Sequence, residues 1–347
     1  MKSFLNQAMI IVCLCLLSTC GVFLGPDPEN NPKGIFDSIW NNFNDTYALF
    51  DIKGVNWNSV YDKYYPKISS GMSDKELFIV CSDMLGELND AHVNLMSPFG
   101  YYNSGGRFDT SNMELFSLNL IKDEYLNSNY TSAGGGMFVY GTFKDHPSIG
   151  YIYISGFAYG ENTGGSQDWI KAIDGIVKSL ADTDALVLDL RGNRGGLIAN
   201  VNYIASRFAA TEKDYSEVRT KDGSGKNDFS SPVSYAIKPE GSRYIKPIAL
   251  ITNAQTISGG EWFTLALLSQ NHVIHTGSKT CGAFSLSLER FLVNGWTYTV
   301  SVQIVTDMRG NCYEGIGINP EHYKVNTDEN MESGIDDQLE YAMFMLL

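Results

Sequence analysis

Basic clusters are missing from this chain: 25 lysines and arginines stand against 39 aspartates and glutamates, a net charge of −14. With no cationic stretch to neutralise phosphates, nucleic acid is not an expected partner. An acidic surface favours basic peptides instead. Cysteine is scarce, six residues in all, and no spacing among them suggests a metal site. No internal repeat is evident. The one marked apolar run, near the N-terminus, is too short for a comfortable membrane span. What is present is ordinary globular composition, 44% apolar and 18% charged, over 347 residues, enough for one large or two moderate domains with real cores.

The first twenty residues give an address. A basic start at Lys2, an apolar stretch through Leu17 and a small-residue end at Ser18 and Thr19 have the layout of a secretory signal. Leu17 to Gly21 resembles a bacterial lipobox, with Thr19 in place of the usual Gly or Ala, and implies Cys20 as a lipidated first residue. Residues 21–33, polar from Pro26 to Pro32, then read as a tether holding the protein to a membrane in the cell envelope, an outer-membrane lipoprotein facing the periplasm or the surface. Cys13 and Cys15 leave with the signal. Cys81 reads as core, and an oxidising location would allow Cys281 and Cys312 to pair.

Beyond the tether the chain reads in two parts. Ile35, Ile39, Trp40, Phe43, Tyr47 and Phe50 recur at helical spacing, as do Leu77, Val80, Met84, Leu85 and Leu88 behind a Ser73/Glu76 capping box. Residues 34–98 are therefore expected as a small helical domain, and 99–347 as a larger α/β domain. In the latter, strands are expected at Ile149–Phe157, Ala185–Leu190, Pro247–Thr252 and Trp296–Val305, and helices at Gln167–Leu180, Val201–Ala209 and Glu261–Ser269. That alternation implies βαβ crossovers. Asp214–Ser231 reads as an exposed polar insertion, and Gly134–Gly136 as a loop between strands.

Two segments carry chemistry. Ala249 to Thr252 is an apolar strand that runs through a polar turn to Ser258 and into an amphipathic helix. A serine there lies beside backbone N–H groups that no helical carbonyl claims, although most such serines only cap. Upstream, the strand ending at Asp189 leads to Arg191, Asn193 and the pair Gly195–Gly196. Adjacent glycines turn the backbone where a side chain would collide, and free N–H groups to face a cleft. Asp189 and Arg191 read as a structural ion pair that braces this turn.

Asp189 to Gly196, Thr256 to Glu261, Gly277 to Gly282 and Glu314 to Pro320 together resemble, in order, the motifs of the C-terminal processing peptidases, or tail-specific proteases. The resemblance implies a fold like the crotonase and Clp protease core, a spiral of βαβ units, and a serine endopeptidase that needs no cofactor and acts on peptide or protein substrates. One branch of the family uses a lysine just after the Gly277–Gly282 motif as base. That position is Ala283, which cannot accept a proton, and nearby Lys279 falls at a variable place and reads as surface lysine. The other branch, similar to the tricorn protease core, uses a histidine and a glutamate. His92, in Leu88 to Leu95, matches that histidine motif except that Ala91 replaces a serine; Glu314 matches the glutamate.

The implied roles are Ser258 as nucleophile, His92 as general base and then acid, and Glu314 orienting the imidazole. The oxyanion hole would be the N–H of Gly259 with that of Gly195 or Gly196, of which Gly196 is preferred. Residues 96–148 show too little of a PDZ pattern to assign one. Two alternatives belong to other classes. One is a non-catalytic envelope binding protein on the same fold, against which the retained Ser258, His92 and Glu314 speak. The other, a CoA-dependent crotonase-like enzyme, would need an adenine and phosphate pocket with basic residues, and the sequence offers it no support.

Overall fold

The computed structural model describes residues 29–105, 115–126, 129–158 and 167–347. The signal segment 1–20, the lipidation residue Cys20 and the tether up to residue 28 lie outside the described residues. No helix among the described residues is long and apolar enough to cross a membrane.

Helix α1 (Pro32–Thr46) starts where Asn31 accepts the Gly34 N–H, with proline in the first turn. It buries Ile35, Phe36, Ile39 and Phe43. Helices α2 (Phe50–Lys53), α3 (Trp57–Tyr64) and α4 (Asp74–Gly86) complete the helical segment, and α4 opens on the reciprocal Ser73/Glu76 capping box. Next come β1 (Asn94–Ser97), β2 (Gly100–Asn103), β3 (Tyr130–Ala133), β4 (Phe138–Thr142) and β5 (Ile149–Ile154). Helix α5 (Ala172–Ser179), β6 (Ala185–Asp189), α6 (Ile198–Ala205), β7 (Lys213–Thr220), β8 (Val233–Ile237) and β9 (Ile248–Thr252) follow. The chain continues through α7 (Gly259–Leu268), β10 (Val273–Gly277), β11 (Ser287–Phe291), β12 (Thr297–Ser301), β13 (Gln303–Asp307), β14 (His322–Tyr323) and α8 (Asp337–Phe344).

The main sheet has seven strands in the order β14-β10-β9-β6-β5-β4-β3, parallel from β14 to β5 and antiparallel beyond. Its central strands are buried on both faces, which is why they read as continuous apolar runs. Leu186 and Leu188 of β6 and Ile248 and Leu250 of β9 pack with Ile204 of α6 and Phe263 of α7. The opposite face, with Val187, Ala249 and Ile251, packs on Leu339, Ala342 and Met343 of α8. A four-stranded sheet, β11-β12-β1-β2, joins the helical segment to the rest of the chain, and Trp296, Tyr298 and Val300 share one core with Phe43, Trp57 and Leu85. A three-stranded sheet, β13-β7-β8, flanks both.

Two expectations change. The stretch Asp214–Ser231 is not all exposed loop: its first part is β7, which buries Tyr215, Ser216 and Val218. A bulge between Asp214 and Ser216 breaks the period-two pattern that would have revealed the strand. The single strand expected over Trp296–Val305 is two, because Val302 turns aside to donate its N–H to the Leu286 carbonyl. The segments on either side then join different sheets.

Candidate active site

The site lies beyond the carboxyl ends of β6 and β9, where open α/β sheets collect function. After β9 the chain crosses a short loop to Ser258, whose φ of 58° and ψ of −121° are unusual for any residue with a side chain. Holding them costs about 1–3 kcal/mol, so neighbouring contacts must fix the turn. The Ile257 N–H donates to the Asn193 carbonyl (3.0 Å), the Thr256 hydroxyl to the Leu190 carbonyl (2.8 Å), and the Ser258 N–H to Glu261 (3.0 Å). Ser258 itself is half-buried at the start of α7.

The turn after β6 is built against it. Asn193 accepts the Gly195 N–H through Oδ1 (2.9 Å) and donates to the Ile154 carbonyl (2.8 Å). Gly196 has φ 140°, and a Cβ there would fall 2.1 Å from the backbone of Phe157 and Ala158. A Cβ on Gly259 would lie 2.8 Å from the Gly196 nitrogen, so these two backbones are in direct contact beside Ser258. Neither the Gly196 nor the Gly259 N–H donates to an acceptor among the described residues, whereas that of Gly195 is taken by Asn193. Arg191, fully buried, pairs with Asp189 (2.6 Å) and with Asp336 (2.7 Å), the N-cap of α8. It ties the turn to the far face of the sheet.

One four-residue stretch joins two buried carboxylates. Glu261 accepts the N–H groups of Gly282 (2.6 Å) and Ala283 (2.8 Å) and the Thr280 hydroxyl (2.6 Å). Glu314 accepts those of Phe284 (2.8 Å) and Ser285 (3.1 Å) through Oε2. Its Oε1 is buried with no hydrogen-bond partner among the described residues. Burial pushes the Glu314 carboxyl up to about 8, assisted by the charge of Asp90 and opposed by the Phe284 N–H and by Lys53. Burial likewise raises Glu261 to about 7, against the pull of its four donors. Ala283 is completely buried and its N–H is committed to Glu261, while Lys279 is exposed.

His92 is buried just before β1. Its N–H donates to Asp90 Oδ1 (2.8 Å), and its carbonyl accepts from Thr299 Oγ1 (2.6 Å) of β12 and Asn94 Nδ2 (3.2 Å). Asp90, fully buried, also accepts the Tyr47 hydroxyl (3.0 Å). Tyr47 feels both Asp90 and Glu314, and burial plus these charges hold its hydroxyl well above the usual tyrosine range. Lys53 donates to the carbonyl of Asn89 (2.9 Å), a residue at φ 43°, and lies against Gly315. One cation thus braces both the His92 loop and the Glu314 loop.

The fold therefore links Ser258 to Glu314 through Glu261 and residues 282–285, while Asp90, which holds the His92 N–H, acts on Glu314 through its charge. The roles of three residues, two of them inside the motifs Thr256 to Glu261 and Leu88 to Leu95, escaped sequence reasoning. Glu261 stands three after Ser258, the spacing of a capping box, and that signal could have found it. Asp90, two before His92, had the Asx-turn position. Lys53 carried no signal, since only the folded chain brings it to Asn89 and Gly315. No disulfide joins Cys281 and Cys312. No cluster of potential metal ligands occurs among the described residues.

An α/β sheet that presents a strained serine next to two uncommitted backbone N–H groups is the framework of a serine hydrolase. Comparison with known proteins gives that framework its family. The model of peptidase family S41 matches residues 148–323, half of the chain, and that of the tricorn protease C1 domain matches residues 28–86. The chain belongs to peptidase family S41. It is 26% identical over 173 residues to the carboxy-terminal processing protease CtpB of Bacillus subtilis, and 29% identical over 184 residues to CtpA of the same organism. Those matches take in 50% and 53% of this chain but only 33% and 36% of the relatives, so the chain spans about a third of their length. Among solved structures, a candidate peptidase from Parabacteroides merdae superposes with a TM-score of 0.82 at 28% identity, covering 92% of this chain and 98% of that one. Mature CPAF, at 13% identity and TM-score 0.70, covers 91% and 96% and shares the fold. The expected α/β architecture with a helical N-terminal region is the observed one.

Proposed function

We propose that this protein is a serine endopeptidase of the tail-specific type. Ser258 attacks the peptide carbonyl, His92 takes its proton and returns it to the leaving amine, and Glu314 orients and stabilises the imidazolium. The observation that carries the reading is the adjacent pair of uncommitted N–H groups on Gly196 and Gly259 beside Ser258. Such donors, pre-aimed, are worth about 3 kcal/mol each to a developing oxyanion. Glu261 acts as a positioning residue, since it anchors the Ser258 N–H and the loop that carries Ala283. The absence of lysine at position 283 supports His92 as base. Envelope anchoring through Cys20 belongs to the same proposal and has its support in the leader sequence. Hydrolysis of casein by the wild-type chain, lost in His92→Ala, is the expected result; equal hydrolysis by the two proteins would remove His92 from the mechanism.

The environment of Glu314 sets a pH dependence. Its neighbours Asp90 and Glu261 oppose the carboxylate, and Lys53 favours it. The orienting role needs the ionised form, so activity should rise as pH passes through about 8. Asp90→Asn removes one opposing charge and should move that limb to lower pH, as read from the kcat/KM profile. Stability should run the other way. A carboxyl raised from about 4.3 holds a proton in the folded state that the unfolded chain has lost, so its contribution is full below about pH 4 and is lost as pH rises through about 8. Thermal melts at pH 6 and pH 9 should therefore rank opposite to activity.

A further inference from the structure

A cleft of about 960 Å³ opens between the helical segment and the three-stranded sheet, with neither Ser258 nor His92 in its walls. Phe50, Phe229 and Ile304 give its lining apolar surface, beside the almost fully buried Trp57. Three cations line it, Arg219, Lys221 and Lys226, against a single acid, Asp51. In a chain of net charge −14 this local excess is unusual. Arg219 and Lys221 lie on the Phe229 ring, 5.4 and 5.3 Å from its centroid; the Lys221 ammonium also donates to the Gly225 carbonyl, and neither pairs with a carboxylate among the described residues. Lys226 pairs with Asp51 across the mouth (2.7 Å), but both are about two-thirds exposed, so that bond is worth at most about 1 kcal/mol and is easily exchanged. The cleft also reaches Cys312, two residues before Glu314.

We propose that this cleft is a second binding site of the peptidase, taking an acidic segment of the polypeptide substrate in which carboxylates alternate with apolar side chains. The proposal rests on the peptidase reading for the nature of the ligand. Its size lies in the range that encloses a drug-sized ligand, too large for a small anion to fill. The apolar part of the lining requires apolar surface from the occupant, and the charges of Arg219 and Lys221, which no carboxylate among the described residues neutralises, require negative charge. An acidic, partly apolar peptide meets both demands. Such a segment would otherwise be repelled by the acidic surface, so the cleft gives the enzyme a selectivity that its net charge alone would reverse.

The test is fluorescence anisotropy with the full chain carrying Ser258→Ala, so that nothing is cleaved, and a labelled peptide alternating glutamate with leucine. The account expects this peptide to bind at least about ten-fold tighter than its glutamine counterpart at low salt, a preference that fades as salt rises. Arg219→Gln with Lys221→Gln should abolish the preference. Asp51→Asn, which frees Lys226, should tighten binding about two- to five-fold, a gain that misfolding cannot imitate. Equal binding of the two peptides, a preference that survives the double substitution, or displacement by equimolar free glutamate would overturn the proposal. Because binding is read without hydrolysis, charge-selective binding by a chain that cleaves nothing would sink the peptidase reading alone. Cleavage without charge preference would sink this one alone.

Discussion

Ser258→Ala is expected to lower kcat for peptide hydrolysis by at least about 10⁴-fold if the proposed nucleophile is the right one, the loss that follows when a covalent nucleophile is removed and only binding and oxyanion donors remain. The fold should survive. Alanine keeps the Cβ that already tolerates φ 58°, and the Ser258 N–H still reaches Glu261. Loss of the hydroxyl at an N-cap position costs about 1 kcal/mol. A near-wild-type melting temperature with no turnover is the expected pair of results, measured by calorimetry and by a casein assay. Turnover retained within ten-fold would move the nucleophile elsewhere.

Gly196→Ala should have the second largest effect, and it acts on geometry rather than on a reacting group. The new Cβ would sit 2.1 Å from the Phe157 and Ala158 backbone, at a φ of 140° that a side chain rarely adopts. Backbone cannot yield as a side-chain tip does, so the turn must shift. Its neighbours would shift with it: the Gly195 carbonyl that accepts the Phe157 N–H, the Leu197 N–H that donates to the Phe157 carbonyl, and the Gly196 N–H itself. The cost should be on the order of 3 kcal/mol in stability, visible in a denaturant melt. A protein that remains folded should still lose about 10²- to 10³-fold in kcat, as when one oxyanion donor is misplaced. Unchanged kcat in a folded Gly196→Ala protein would exclude its N–H from the oxyanion hole.

Much of this was legible in the sequence, and the reason is local. The strands ending at Asp189 and Thr252 are apolar on both faces, so their runs were unambiguous, and the turns after them carry glycine and cap signals. Ser73/Glu76 likewise announced a helix that the structure shows with both hydrogen bonds in place. Strand β7 was hidden because its bulge shifts the alternation and because Ser216, though buried, is polar. The pairing of β1 with β12 joins residues about two hundred apart, as Leu95 with Tyr298, and no short-range pattern encodes it. The same is true within the site. The sequence showed Ser258 and Glu314 as separate motifs, but not that residues 282–285 offer successive pairs of N–H groups to Glu261 and Glu314. Nor did it show that Tyr47 and Lys53, from the helical segment, would reach the loops carrying His92 and Glu314. Those contacts depend on three distant parts of the chain meeting, which is a property of the packed core.

The measurement closest to the central claim is fluorophosphonate labelling of the protein with peptide mapping, comparing wild type, Ser258→Ala and His92→Ala. The reagent reports a serine made nucleophilic by its surroundings and needs no knowledge of the substrate. The account predicts label on the peptide containing Ser258 in the wild type, none there in Ser258→Ala, and little in His92→Ala. Label that persists at Ser258 without His92, or label on another residue in the wild type, would contradict it.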